Sequence, residues 1–223
     1  MTAVIDVALT SLAPDLLEYH RGWALQRRVH AEVVAGARAD SLILCEHEAV
    51  YTAGKRTSDD ERPLDGTPVI DVDRGGKITW HGPGQLTGYP ILRLPDRHEV
   101  VAFVRDLEAM MIDVAARFGV HGERVEGRSG VWVSDGAGGW DKIGAIGLRV
   151  EQGVTMHGFA LNCSNGLAAY ERIVACGIRD AGVTTLSALA GRTITPADAA
   201  PIVLEHFQRG VLGLAHRPVE IAA

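Results

Sequence analysis

Residues 69–94 read VIDVDRGGKITWHGPGQLTGYPILRL, and this stretch decides the fold class. Val69 to Val72, Lys77 to His81 and Leu86 to Leu94 are short β-rich runs, separated by turns of glycine and proline. A parallel βαβ unit needs a crossover of about a dozen residues or more, so these tight connections predict antiparallel sheet. Towards the N-terminus, Val4 to Thr10 alternates like a strand, and Asp15 to Val34 places Leu16, Tyr19, Trp23, Val29 and Val33 on one helical face. SLILCEH (41–47) and AVYTA (49–53) are further strand-like runs. The polar stretch 54–66, GKRTSDDERPLDG, predicts a solvated loop, with a lid beside a site as the alternative.

Towards the C-terminus, Val100, Val101, Val104, Leu107, Met111, Val114 and Phe118 recur at helical spacing over His98 to Phe118, with Gly119 as the stop. GVWVS (130–134), KIGAIGLRVE (142–151) and VTMHGFALNC (154–163) return to strand character, the last two forming a hairpin through Gln152 and Gly153. A loop over 176–183 leads to a helix opening at Thr184 or Thr185. In the final helix Thr195, Pro196 and Asp198 resemble a cap, but Pro201 argues for a start nearer to itself. No repeat or linker divides the chain, so residues 1–223 are read as a single α+β domain.

The composition narrows the function. The chain has 22 Lys+Arg against 28 Asp+Glu, a net charge of −6, which argues against nucleic acid as a partner. No hydrophobic run approaches the ~20 residues of a membrane helix, and the N-terminal stretch lacks a basic region and carries Asp6. Three cysteines without a CxxC pair suggest neither a disulfide framework nor a zinc site. A cytoplasmic protein with no metal is the expectation.

Cys45 ends an apolar run and Cys163 follows another, where buried, unreactive cysteines are common. Cys176 instead precedes Gly177 in a turn-rich stretch with Arg172, Arg179 and Asp180, where amides and positive charge can hold a thiolate. A reactive nucleophile and a packed loop cysteine both fit that context. In RGGKITWHGPGQ (74–85) the glycines Gly75, Gly76, Gly82 and Gly84 suggest a loop shaped around a ligand, and neither a P-loop nor a dinucleotide fingerprint is present. Lys142 and His157 fall on neighbouring strands, each followed by small residues that leave room for a ligand. A snorkelling strand-end lysine is the competing reading of Lys142. His47, His81 and His157 are readable as hydrogen-bonded core histidines.

The motifs EHEAVYTAG, RGGKITWHGPGQLTGYP, KIGAIGLRV, TMHGFALN and ACGI occur in the order seen in lipoyl(octanoyl) transferases. The resemblance runs from about Val4 to Thr193. It implies the fold of biotin and lipoate protein ligases, a large mixed sheet and a smaller one flanked by helices. It also implies transfer of octanoyl from the phosphopantetheine of acyl carrier protein to a lysine of lipoyl domains, in 2-oxoacid dehydrogenase complexes and glycine cleavage H protein. By the same resemblance Cys176 accepts the acyl group, Lys142 is its partner, and no cofactor is needed. Arg74, Gly75, Gly76 and Lys77, then Ile78, Thr79, Trp80 and His81, match substrate-lining positions. So do Ala145, Ile146 and Gly147 on one strand and Gly158, Phe159 and Ala160 on the other, with His157, Gly82 and Gly84 in support. One departure is Ala175, where the family usually has proline before the cysteine.

An ATP-dependent lipoate ligase on the same fold, a cysteine thioesterase and a non-catalytic acyl-binding protein are the competing readings. Because carrier proteins are generally acidic and this chain is net negative, a local basic rim of Arg56, Arg74 and Lys77 is expected, with transfer slowing as salt rises.

Overall fold

The computed structural model describes residues 5–94, 99–174, 177–178 and 180–209. A large mixed sheet carries the architecture. Its strands are β1 (Asp6–Ser11), β2 (Ser41–Cys45), β6 (Gln85–Ile91), β7 (Glu123–Val125), β8 (Arg128–Ser134), β9 (Trp140–Glu151), β10 (Val154–Asn162) and β11 (Gly182–Val183). They run in the order β1-β2-β6-β10-β9-β8-β7, with β11 added on β9. β1 and β2 pair in parallel, as do β11 and β9, whereas β6, β10, β9 and β8 are antiparallel neighbours. A smaller sheet, β4-β3-β5, consists of β3 (Val50–Ala53), β4 (Val69–Asp71) and β5 (Thr79–His81).

The three runs in residues 69–94 are therefore strands, but not one antiparallel sheet. β4 and β5 flank β3, and β6 belongs to the large sheet. Gly84 makes the change of sheet possible. Its φ is +85°, and a Cβ there would stand 2.5 Å from the Asn165 nitrogen, while its carbonyl accepts from the Cys163 and Ser164 amides. The β9–β10 hairpin turns at Gln152 and Gly153, with φ of 51° and 76°, as a two-residue primed turn requires.

Helix α1 (Tyr19–Val34) covers one face of the large sheet, burying Val29 and Val33 against Ile43, Cys45, Tyr89, Ile91 and Val154. Its N-cap Glu18 accepts from the amides of His20 and Arg21, so the helix begins later than Asp15. The other face carries α2 (Val100–Arg117), α3 (Leu186–Ala190) and α4 (Pro196–Gln208). Phe103, Leu107, Met111, Val114, Leu186, Val203 and Phe207 pack there with Leu86, Phe159 and Leu161. Val101 fits the periodicity but is 69% exposed, on the outer side of α2. Helix α4 starts at Pro196, earlier than Pro201 suggested. Thr195 and Asp198 form a reciprocal capping box, and Pro201 is carried inside the helix. The polar stretch 54–66 is a connection holding a short 3-10 turn, Asp59–Glu61, whose Glu61 is buried. Among the described residues no helix is long and apolar enough to cross a membrane.

One buried carboxylate supports the sheet next to the site. Glu108, fully buried on α2, accepts from the Gly130 amide at 3.0 Å and from Arg105 and Arg124 at 2.7 and 3.0 Å. Gly130 has φ +102°, and a Cβ would meet the Gly144 carbonyl at 2.2 Å; next to it β9 bulges against β8, since Val131 and Trp132 pair with Gly144 and Lys142 and leave Ile143 as the extra residue. Replacing Glu108 by alanine orphans that amide, and the expected loss of stability is about 1–3 kcal/mol in urea denaturation. Glu108→Gln keeps an acceptor and should lose less.

Candidate functional site

The sheet face beneath the small sheet is made unusually bare by sequence. Gly158 stands opposite Gly147 and Ala160 opposite Ala145 in the β9–β10 register, while Phe159, Leu161, Ile146 and Leu148 turn towards α2. Over this floor lies the connection from β4 to β5, fixed by the Gly75 amide donating to the Leu148 carbonyl at 2.9 Å. Between floor and roof is a cavity of about 280 Å³, near the lower end of the volumes of ordinary ligand pockets.

Its lining includes Lys142, Ala145, Ile146, Gly147, His157, Gly158, Phe159 and Ala160 from β9 and β10. Arg74, Gly76, Lys77, Thr79 and His81 contribute from the roof, and Tyr19, Thr87 and Tyr89 from α1 and β6.

Lys142 is 7% exposed. Its backbone carbonyl accepts from Thr184, and its Nζ lies 4.6 Å from the centroid of the Trp132 ring. It has no ion-pair partner among the described residues. A cation in that position gains from the aromatic face and leaves the cavity end electropositive. That is an anion-stabilising arrangement rather than a snorkelling one.

The other basic groups are committed elsewhere. The buried Arg74 guanidinium donates to the Gly75 and Lys77 carbonyls at 3.0 and 2.9 Å and to the carbonyl and hydroxyl of Thr52 at 2.9 and 3.0 Å. It shapes the roof and cannot belong to an exposed basic rim. Lys77 pairs with the buried Glu61, leaving Arg56 as the exposed member of the three residues expected there.

His81 and His157, the two histidines of the cavity, are neutral. Burial, with His47 and Arg74 nearby, holds His81 down to about 3. Its Nδ1 lies 2.7 Å from Gln85 Oε1, and the Gln85 amide nitrogen donates to Asn162 Oδ1 at 2.9 Å and to the Tyr170 hydroxyl at 2.8 Å. The acceptor is thus Oε1, which places the His81 proton on Nδ1 and leaves Nε2 free to accept. His157 is likewise held down to about 3, by burial and then by Arg74, Arg149 and Arg27. Its Nε2 donates to Asp73 at 2.8 Å, and its backbone has φ 57°, a strained value for a non-glycine residue. Burial also pushes the Tyr19 phenol up to about 12.

Comparison with known proteins agrees with this arrangement. The family described as the lipoyl protein ligase A/B catalytic domain matches residues 18–208. An octanoyltransferase from Leifsonia xyli subsp. xyli is 63% identical over 193 residues, 86% of each chain. The chain belongs to the octanoyltransferases of this family. It is therefore an enzyme of the acyltransferase class. A second relative, the octanoyltransferase of Salinispora arenicola, is 61% identical over 200 residues, 89% of this chain and 94% of that one. Among solved structures, a bi-partite lipoate protein ligase from Thermoplasma acidophilum superposes with a TM-score of 0.67 at 14% identity, covering 94% of this chain and 84% of that one. The biotin protein ligase of Aquifex aeolicus gives 0.53 at 8% identity, covering 99% and 75%. At these identities the likeness is one of fold, the α+β fold expected from the motifs.

Not every expected residue faces the cavity. Ile78 is fully buried, Gly75 bonds the sheet edge-on, and Trp80 packs edge-to-face on Tyr170 with ring centroids 5.8 Å apart. Gly82 is required by Trp80, whose ring would stand 2.1 Å from a Cβ, so Gly82 and Gly84 build the turn instead of touching a ligand. Cys176, with Ala175 and Arg179, lies outside the described residues. Beside it, Gly177 packs against the Lys77 side chain and Ile178 lines the cavity. Cys45 and Cys163 are buried, and burial pushes both thiols up, Cys163 to about 12. Tyr19, Thr87 and Tyr89 are lining residues that the motif reading missed. The alternation of β6 from Gln85 carries the signal for the last two.

These histidines make stability pH-dependent with a definite sign. An unfolded histidine titrates near 6.5, whereas folded His81 and His157 do so near 3. As the pH falls from about 6.5 towards 3, the unfolded chain takes up protons that the folded chain refuses, so stability present above 6.5 is lost. The urea midpoint should fall between about pH 7.5 and about pH 4.5, and His81→Gln should make that fall shallower. An unchanged slope in the variant would remove His81 from the effect.

Proposed function

We propose that the enzyme transfers octanoyl from the phosphopantetheine thioester of acyl carrier protein to the ε-amine of a lysine on lipoyl domains, through a thioester on Cys176. The observation that carries this reading is Lys142: a buried lysine, without an ion-pair partner among the described residues, lining a trough floored by glycine and alanine. The trough suits an unbranched acyl chain. A thioester is already activated, so a thiol relay needs no nucleotide.

In the first step the Cys176 thiolate, favoured by the Lys142 ammonium, attacks the donor carbonyl. The carbonyl-to-pantetheine C–S bond breaks, and the departing thiolate takes a proton that Lys142 can give. In the second step the acceptor amine attacks the Cys176 thioester and the second C–S bond breaks. The amide forms, the amine's proton passes to neutral Lys142, and the ammonium–thiolate pair is restored. His81, neutral with Nε2 free, and His157, held by Asp73, shape the pocket without carrying charge into it.

Transfer from octanoyl carrier protein without ATP, in the wild type and in Cys176→Ser, tests the reading. Wild-type transfer and an inactive variant are expected, with a single acyl adduct on Cys176 by intact-mass analysis and peptide mapping. An adduct on Cys45 or Cys163 contradicts the assignment. A requirement for ATP indicates a ligase, free octanoate a thioesterase, and binding without turnover an acyl-binding protein.

Lys142→Ala should slow transfer by roughly 10² to 10⁴-fold with little loss of stability. Lys142→Arg should still hold the thiolate and acylate Cys176, the pantetheine thiolate leaving with a solvent proton, and then stall, because a guanidinium that stays protonated cannot take the amine's proton. Near wild-type turnover by either variant excludes Lys142 from both proton steps.

A further inference from the structure

The acyl trough holds a polar atom that an alkyl chain cannot satisfy. Thr87, on β6, is 1% exposed, lines the cavity, and its hydroxyl is buried without a hydrogen-bond partner among the described residues. The strand alternation fixes its direction: Leu86 packs into the core beneath α2, so Thr87 faces the trough. Across the sheet Thr87 pairs with Ala160, which pairs with Ala145. The hydroxyl therefore stands in a row with two methyl groups, and all three residues line the cavity.

A buried hydroxyl lacking a partner is costly, and a water there would need two or more polar contacts where the row offers one side-chain oxygen. A row of unsubstituted methylenes leaves the cost in place. A ligand hydroxyl removes it, being small, neutral and able both to donate and to accept. A charged substituent has no counterion in the row and would be penalised by desolvation. Ala145 is three residues along β9 from Lys142, about 10 Å of strand, so the row lies beside an eight-carbon chain rather than far beyond it.

We propose that Thr87 is a polar subsite within the acyl trough and that it recognises acyl chains bearing a hydroxyl group, so that hydroxyacyl thioesters are ligands of this enzyme beside unsubstituted octanoyl. The inference rests on the trough being the acyl site. Thr87 acts on selectivity by contact with the chain and takes no part in bond making.

Calorimetric titration of the full chain with octanoate and with 3-, 5- and 7-hydroxyoctanoate tests it. In the wild type one regioisomer should bind about tenfold more tightly than octanoate, the equivalent of one hydrogen bond. Thr87→Ser, which keeps the hydroxyl, should retain the preference. Thr87→Val, of nearly the same shape, should abolish it and bind octanoate about threefold or more tightly than the wild type does. Octanoate binding with no preferred isomer, or unaltered affinities in Thr87→Val, would mean an ordered water only, overturning the subsite while leaving the acyl trough intact. Failure of octanoate itself to bind the wild type overturns the acyl reading and the subsite together.

Discussion

The site depends on how closely two stretches of backbone approach across Gly147. A Cβ at that position would meet the Arg74 side chain at 3.0 Å and the Gly75 carbonyl at 3.2 Å, so any larger residue lifts the β4–β5 connection from the sheet. Its cross-strand partner Gly158 is constrained from the other side, since a Cβ there would stand 2.1 Å from the Gly88 carbonyl. With side chains absent from both, the Gly75 amide reaches the Leu148 carbonyl and the small sheet docks at a fixed height. Arg74 completes the roof by satisfying carbonyls of Thr52, Gly75 and Lys77 that would otherwise face the interior. The height of the cavity is therefore set by backbone contact before any side chain of the roof is counted.

The electrostatics follow from the same enclosure. Low polarity inside the slot neutralises whatever can be neutralised, which is why His81 and His157 are held near 3 and the Tyr19 phenol stays protonated. Arg74 stays charged because carbonyl dipoles surround it. Lys142 is the contrasting case, supported by an indole face and open to the cavity. In the proposed mechanism it is this lysine, and neither of the neutral histidines, that would carry the proton.

Much of the floor was legible in the sequence because glycine and alanine between strand-forming residues mean bare sheet wherever they fall. KIGAIG and HGFALN supplied Ala145, Gly147, Gly158 and Ala160, and the hairpin between them announced its register through Gln152 and Gly153. The role of Arg74 was not legible. A basic residue in a glycine-rich loop reads equally as a ligand contact and as a backbone clamp, and only the four hydrogen bonds distinguish them. The two-sheet division of residues 69–94 was hidden for a related reason: a turn at Gly84 looks the same whether the chain returns to its own sheet or crosses to another. Thr87 was invisible because a threonine in a strand ordinarily contributes β propensity, and its orphaned hydroxyl emerges only once Ala160 and Ala145 are its neighbours.

The mouth of the cavity shows why net charge says little about a docking partner. Lys77 is bound to Glu61 and Arg128 to Asp180 at 2.5 Å, so two of the cations lining the cavity already own a carboxylate. An acidic protein approaching them exchanges one carboxylate for another, and the balance of that exchange is small when both pairs are solvated. Lys55 and Arg56, on the connection that follows β3, are exposed and have no such partner among the described residues, and the same holds for Arg21, Arg27 and Arg192 elsewhere on the surface. With Arg74 buried and Lys77 paired, the expected rim of three cations is reduced to Arg56 on a chain of net −6. A partner's net charge is therefore a poor guide to this surface, because the cations that could answer it are spent on the chain's own carbonyls and carboxylates.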